Sequence, residues 1–320
     1  MAERNARTGI QNAGLLLGLA ALAATLVSEA PAGLPPAAWA VAGVLALMAL
    51  WWSTEALPLA ATALMPLALL PLLDAVTAET LAGGYGNTTL FLILGGFLLA
   101  LAMERSELHR RIAYNIVVHA GGHPQGLVLG MMCATGFVSM WVSNTSTSLM
   151  MLPVAMSIAA IVAPDPAVDD RNAHNFSAAI VLCVAYSATI GGLGTLIGTP
   201  TNALVVGFMK QNYGITVSFA QWLTFGLPVV LLLMPIAWLV LVRVVFPFKL
   251  GSQVTAGAAL RSALVALGPM SRAERRVTAI LLLTAGAWIL SPLLKLLPGL
   301  VGLNDTTIAL VAGISLFLVP

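Results

Sequence analysis

Apolar stretches long enough to cross a bilayer recur along the chain, separated by short polar connectors. At about 20 apolar residues per crossing, the pattern predicts spans over 13–28, 37–52, 56–73, 88–103, 219–246, 277–297 and 304–320. A longer apolar segment covers 177–209, and two apolar helices, 125–142 and 146–163, are joined by a polar turn. Between them, 104–124 (ERSELHRRIAYNIVVHAGGHP) sets charges beside apolar positions at Leu108, Ile112, Ile116 and Val117. That stripe predicts a helix lying at the membrane surface, with an ordinary cytoplasmic connector as the other reading. The first apolar run, Ala13 to Val27 behind Arg4 and Arg7, reads as a retained span rather than a cleaved signal. The expected fold class is an all-α integral membrane protein, a multi-span bundle.

Two segments break the apolar pattern. In 130–158, GMMCATGFVSMWVSNTSTSLMMLPVAMSI, Ser139 and the run Ser143-Asn144-Thr145-Ser146-Thr147-Ser148 stand between apolar runs without charge. Unpaired polar groups cost several kcal/mol each in hydrocarbon, so this cluster must face protein, water or a ligand. The pair 125–163 is therefore read as a re-entrant hairpin with a polar tip. Ser139 and Ser143, four apart, are expected on one helical face, with Asn144 where that helix stops and the next beginning near Thr145 to Thr147. Oxygens at one helix end suit a small hard cation, and free N–H groups at the other suit a carboxylate.

The second is Gly191-Gly192-Leu193-Gly194-Thr195-Leu196-Ile197-Gly198-Thr199-Pro200-Thr201-Asn202, inside the segment too long for one straight span. Gly198 and Pro200 predict a broken helix, whose unwound carbonyls can ligate a cation and whose second half, from near Asn202, offers an N-terminus to an anion. Gly191 to Gly194 taken alone read as close helix packing.

Charge sets orientation. Arg4, Arg7, Arg105, Arg110, Arg111, Arg171, Arg243, Lys249, Arg261, Arg272, Arg275 and Arg276 fall on one face when the spans alternate. The positive-inside rule makes that face, and the N-terminus, cytoplasmic. The loops with Glu29, Asp74 and Glu79, the turn 210–214 and the loop 298–303 take the other. The chain divides into an N-terminal half (1–246), a basic amphipathic connector (247–276) and the first spans of an incomplete second repeat (277–320). Sliding 55–71 over 304–320, an offset of 249, matches Ala60, Ala63, Leu67, Leu69 and Pro71 with Ala309, Ala312, Leu316, Leu318 and Pro320. The copies run in opposite directions, as in an inverted-topology repeat.

Composition narrows the function classes. With 59% hydrophobic and 8% charged residues and a mean hydropathy of +0.98, no soluble domain of ordinary size fits between the spans. A formal net charge of +2 leaves no patch for nucleic acid. Cys133 and Cys183 lie in apolar runs and suggest neither a disulfide framework nor a metal site. An intramembrane enzyme needs a nucleophile with a base, or paired carboxylates. His109, His119, His123 and His174 all fall in predicted cytoplasmic segments, and no Asp, Glu, Lys or Arg stands between Arg111 and Asp165. Glu55 reads as interfacial. No cofactor is expected.

The motifs SMWVSNTSTSLMMLPVA and GTLIGTPTNALVVGF resemble the divalent anion:sodium symporters, the family of sodium-coupled dicarboxylate, citrate and sulfate transporters; TEALPLAATALMPL and FLLALAMERSELHRRIA are similar to its early spans and interfacial helix. The resemblance implies secondary active symport of di- or tricarboxylates with sodium across the cell membrane, by a homodimer. A sodium-independent dicarboxylate exchanger or a sulfate transporter on the same architecture is the alternative. It further implies that Ser143, Asn144 and Thr145 touch sodium and substrate, that Ser139, Ser143, Asn144 and the Gly198 backbone form a sodium site, and that Thr199 and Pro200 lie beside the substrate. Thr201 departs from the family, which commonly has a second proline there. Family members also carry a second SNT-type hairpin, expected from the repeat offset at roughly 392, with the copy of Asn202 at roughly 451. The expectation is a truncated product holding half of a binding site.

Overall fold

The computed structural model describes residues 7–120, 123–162, 171–250, 261–262 and 264–318. Part of the predicted connector, at 251–260 and 263, lies outside the described residues, as do Arg4 and the Pro320 of the repeat match. Among the described residues the secondary structure is helical, and 7 helices are long and apolar enough to cross a membrane. The protein is thus a multi-pass membrane protein, as the apolar pattern predicts.

The chain forms two compact units, residues 1–87 and 88–320. In the first, α1 (Gly9–Val27) and α2 (Pro36–Thr54) pack closely through small residues. A Cβ on Gly14 would meet the Thr54 side chain and one on Gly18 the indole of Trp51. Trp51 Nε1 also donates to the Leu15 carbonyl at 3.3 Å. In place of the single span predicted over 56–73 there are two short helices, α3 (Leu59–Ala63) and α4 (Met65–Leu72), followed by α5 (Ala78–Tyr85). Pro66 is the reason: it brings no N–H and disfavours helical geometry in the residue before it, so the chain restarts rather than continues.

The second unit runs α6 (Thr88–Arg105), α7 (Leu108–His119), α8 (Pro124–Ser139), α9 (Asn144–Val162), α10 (Arg171–Gly192), α11 (Pro200–Tyr213), α12 (Phe219–Leu239) with a π-helical extension (Val240–Val245), α13 (Arg272–Leu294) and α14 (Asp305–Leu318). Helix α7 forms from the amphipathic segment 104–124. Its apolar side, including Leu108 and Val117, is buried, and its Arg111 reaches α13. The core of this unit gathers residues of α7 to α10 and α12, with Met131, Met132, Phe176 and Ile180 wholly buried. Helices α8 and α10 touch where Gly136 meets Gly191, and a Cβ on Gly191 would stand 2.2 Å from the Gly136 carbonyl oxygen. That is the packing role expected of this glycine.

Among the helices that fall short of a crossing are two that flank the polar interruptions. At 1.5 Å per residue, the 16-residue α8 and the 14-residue α11 extend roughly 24 and 21 Å, against about 30 Å of hydrocarbon.

Candidate functional site

The hairpin tip is built by a serine that caps a helix. Helix α8 ends at Ser139, and Met140 to Val142 turn. Ser143 then takes the N-cap position of α9: its Oγ accepts from the Ser146 N–H at 3.2 Å and its carbonyl from the Thr147 N–H at 2.9 Å. Two expectations change. Ser139 and Ser143 do not share a helical face, because the turn separates them. Asn144 does not end a helix but opens α9, since serine is among the preferred N-caps and starts the helix one residue earlier than expected.

Ser139 is completely buried. Its Oγ lies 2.8 Å from Asn144 Oδ1 and 2.8 Å from the Ala188 carbonyl oxygen of α10, so its one proton is shared between two acceptors. This contact folds the tip back on α8 and fixes it to the helix that breaks.

The break itself runs from Leu193 to Thr199, between α10 and α11. Helix α11 begins at Pro200 rather than near Asn202, because proline's fixed φ and missing N–H suit the first helical position. Asn202 is therefore free for another task. Only 4% exposed, it turns its amide back and donates to the carbonyls of Gly192 at 2.8 Å and Thr195 at 2.9 Å. Two further bonds hold the break: Thr195 Oγ1 donates to the Met140 carbonyl in the tip turn, and Trp222 Nε1 of α12 to the Leu193 carbonyl at 2.9 Å.

Tip and break meet through glycine. A Cβ on Gly192 would fall 2.4 Å from Asn144 Oδ1, and one on Gly198 would fall 2.5 Å from the Gly192 carbonyl oxygen. Asn144, Gly192 and Gly198 are thus in one stack that admits no side chain on either glycine. Of the residues named from the sequence, Ser139, Asn144 and Gly198 are brought together here. Ser143 and Thr199 are half-buried at the two helix starts, and Thr145 and Pro200 are exposed.

The arrangement offers complementary chemistry. The start of α9 and the start of α11 each carry backbone N–H groups without a partner inside the helix and roughly half a positive charge. Oxygen ligands from Ser139, Ser143 and Asn144 stand within the same few residues, and hard cations such as Na⁺ favour oxygen. Lys and Arg are absent from the sequence between Arg111 and Arg171 and between Arg171 and Lys210. Sequence reasoning did not find Asn202, Thr195 and Trp222 as the residues that hold the break. For Asn202 and Thr195 the signal was a polar residue kept within or beside a glycine-rich interruption, whereas Trp222, in α12, carried none.

Residues 10–320 match the family described as the sodium:sulfate symporter transmembrane region. The chain is 40% identical over 313 residues to the sodium-dependent dicarboxylate transporter SdcS of Staphylococcus aureus strain USA300, and equally to its counterpart in strain NCTC 8325 / PS 47. These alignments cover 96% of this chain and 60% of each relative, so the chain spans about 60% of the length of the curated relatives it matches.

Proposed function

The chain belongs to the sodium:sulfate symporter family, and from that premise we propose that it serves sodium-coupled symport of di- or tricarboxylates of the succinate, malate or citrate type. The reading makes it a transporter and gives it no catalytic residue. The observation that carries it is the contact of Ser139 Oγ with Asn144 Oδ1, stacked on Gly192 and Gly198.

In this reading Ser139, Ser143, Asn144 and the Gly198 carbonyl hold sodium, while Ser143, Asn144, Thr145, Thr199 and Pro200 meet the substrate carboxylate. Taking even one bare carboxylate into low dielectric costs several kcal/mol. With no basic side chain in either motif, the sodium ion supplies the compensating charge. It also orders the tip, because Asn144 belongs to both sets. Sodium binds first, completes the anion site, and the element carrying it moves between the two faces. The short α8 supports a hairpin that enters and returns. The basic loops support a cytoplasmic N-terminus, and the substrate-carrying form is a homodimer in the cell membrane. The division at 247–276 separates the first repeat from the start of a second.

The test is binding of ²²Na⁺ to the purified chain with and without succinate. Succinate raises sodium affinity, and sodium raises succinate affinity by the same factor, because linkage is reciprocal. Potassium or choline in place of sodium removes the tight succinate component, and Asn144→Ala removes the succinate-stimulated sodium binding while the protein stays folded. Equal sodium binding with and without succinate refutes the coupling, and undiminished binding in Asn144→Ala refutes the site.

A further inference from the structure

We propose that the second unit carries another anion site, a vestibule that takes small dianions without sodium. It is a cavity of about 550 Å³ where Thr88 of α6, Gln221 of α12, Ser291 and Lys295 of α13, Asp305 of α14 and Lys210 of α11 face one space. The proposal takes its ligand class from the transport reading above, although the binding it predicts is measured independently of sodium.

Two lysines carry the argument. Neither Lys210 nor Lys295 makes an ion pair among the described residues, where the ion pairs are Arg110–Glu107 and Arg111–Glu274. Asp305, the acid of the cavity, is already engaged: its Oδ2 accepts from the Phe219 N–H, at the start of α12, at 2.7 Å. The starts of α6, α12 and α14 reach this cavity and so do the ends of α11 and α13, so the helix dipoles largely offset, and the two lysines against Asp305 leave a formal charge of about +1. Two ammonium groups facing one space suit the two acid groups of a dicarboxylate or the oxygens of sulfate.

A polar side chain also waits there. Ser291 is 2% exposed and lines the cavity, so its hydroxyl is placed to donate to an anion oxygen held there.

The position gives the site a task. Leu196 and Ala203, on either side of the Gly198 to Asn202 segment, line the same cavity, whereas Ser139, Asn144 and Gly198 do not. An anion held here stands beside the break without touching the sodium ligands. Fields focused in such a cleft raise local anion concentration and association rates by about 10-fold or more. The site captures the dianion that the coupled site then binds with sodium.

The test uses the whole chain in phosphatidylcholine nanodiscs, so that no anionic lipid competes, in choline salts without sodium. Titrating ¹³C-succinate by NMR is expected to show weak, saturable binding that sulfate displaces. Lys210→Gln with Lys295→Gln weakens it roughly 10-fold, and Lys210→Glu with Lys295→Glu abolishes it. Raising ionic strength from about 20 to about 200 mM weakens wild-type binding and hardly moves the glutamine variant. Circular dichroism and gel filtration confirm that each variant is folded. Sodium-free binding equal in wild type and the glutamine variant overturns the proposal, as does its absence in folded wild type. Vestibule binding without succinate-stimulated ²²Na⁺ binding sinks the symport reading and leaves this one standing.

Discussion

Replacing Asn202 by alanine is the sharpest probe of how the helix break is held. Two carbonyl oxygens can accept only from the NH₂ group, so the partners fix the amide's orientation. In Asn202→Ala the Gly192 carbonyl loses its side-chain donor and the Thr195 carbonyl keeps only the Gly198 N–H at 3.3 Å, in a place where Asn202 is only 4% exposed. The orphaned Gly192 acceptor costs about 1–3 kcal/mol, and the loss at Thr195 adds less than a full bond. A combined loss of about 3 kcal/mol corresponds to roughly a 150-fold rise in local opening. The helices on either side keep their own ladders, so the damage stays local. Hydrogen exchange by mass spectrometry is expected to show faster exchange across Leu193 to Gly198, with helical content unchanged. If the proposed sodium site includes the Gly198 carbonyl, ²²Na⁺ affinity falls with it, since Gly192 and Gly198 move together. Asn202→Asp should do worse, because a carboxylate would face two carbonyl oxygens with no donor. Exchange across the break equal to wild type, or aspartate tolerated better than alanine, refutes the reasoning.

Gly192→Ala places a methyl 2.4 Å from Asn144 Oδ1 and pushes tip and break apart. It is expected to cost about 1–3 kcal/mol by overpacking and to remove ²²Na⁺ binding while circular dichroism stays helical. Arg111 and Glu274, 14% and 7% exposed, meet at 2.6 Å between α7 and α13. Removing either partner alone leaves a buried charge and costs about 3–5 kcal/mol, whereas removing both costs less, so in thermal melts Arg111→Gln with Glu274→Gln should exceed either single variant in stability. His109 is 4% exposed, with Nδ1 3.2 Å from the Met103 carbonyl oxygen. Burial holds its pKa below the ordinary value, outweighing the raising effects of the Met103 carbonyl and of Glu104 and Glu107. The unfolded chain therefore takes up the proton first, and stability is full above the unfolded value and lost as pH falls from there toward the folded one. Melts between about pH 7.5 and 5 should show this loss in wild type and a flatter profile in His109→Asn.

Much of the fold was legible because the signal in a membrane chain is length of apolar run, which survives without any knowledge of partners. The two helices joined by the polar turn, the interrupted segment and the amphipathic helix all form where the pattern placed helices, with bounds shifted by several residues. Boundaries failed where local chemistry outranked periodicity. Pro66 split a span whose hydropathy is continuous, Ser143 began a helix early by capping it, and Pro200 began α11 before Asn202. In the candidate site the polar residues were legible as a group, since polar side chains in an apolar run need an explanation. Their pairing was not. That Ser139 reaches Ala188, or that Thr195 reaches Met140, depends on how α8 and α10 cross at Gly136 and Gly191. Nothing in the spacing along the chain encodes that crossing.

The crossing also explains why two motifs about fifty residues apart act as one. Ser139 belongs to α8, Ala188 to α10, and the bond between them is fixed by a glycine contact one helical turn away. Any movement that separates α8 from α10 strips Ser139 of one acceptor and Asn144 of its place against Gly192. The tip oxygens and the break carbonyls therefore change together, which is what coupling between a cation and an anion requires. On the proposed symport reading, a cation held by the Asn144 oxygen would fix the same residue whose helix start meets the anion, and neither effect would need a charged side chain. The absence of Lys and Arg from both motifs fits that reading: a fixed cation would hold the anion whether or not sodium was present, and the two fluxes would come apart.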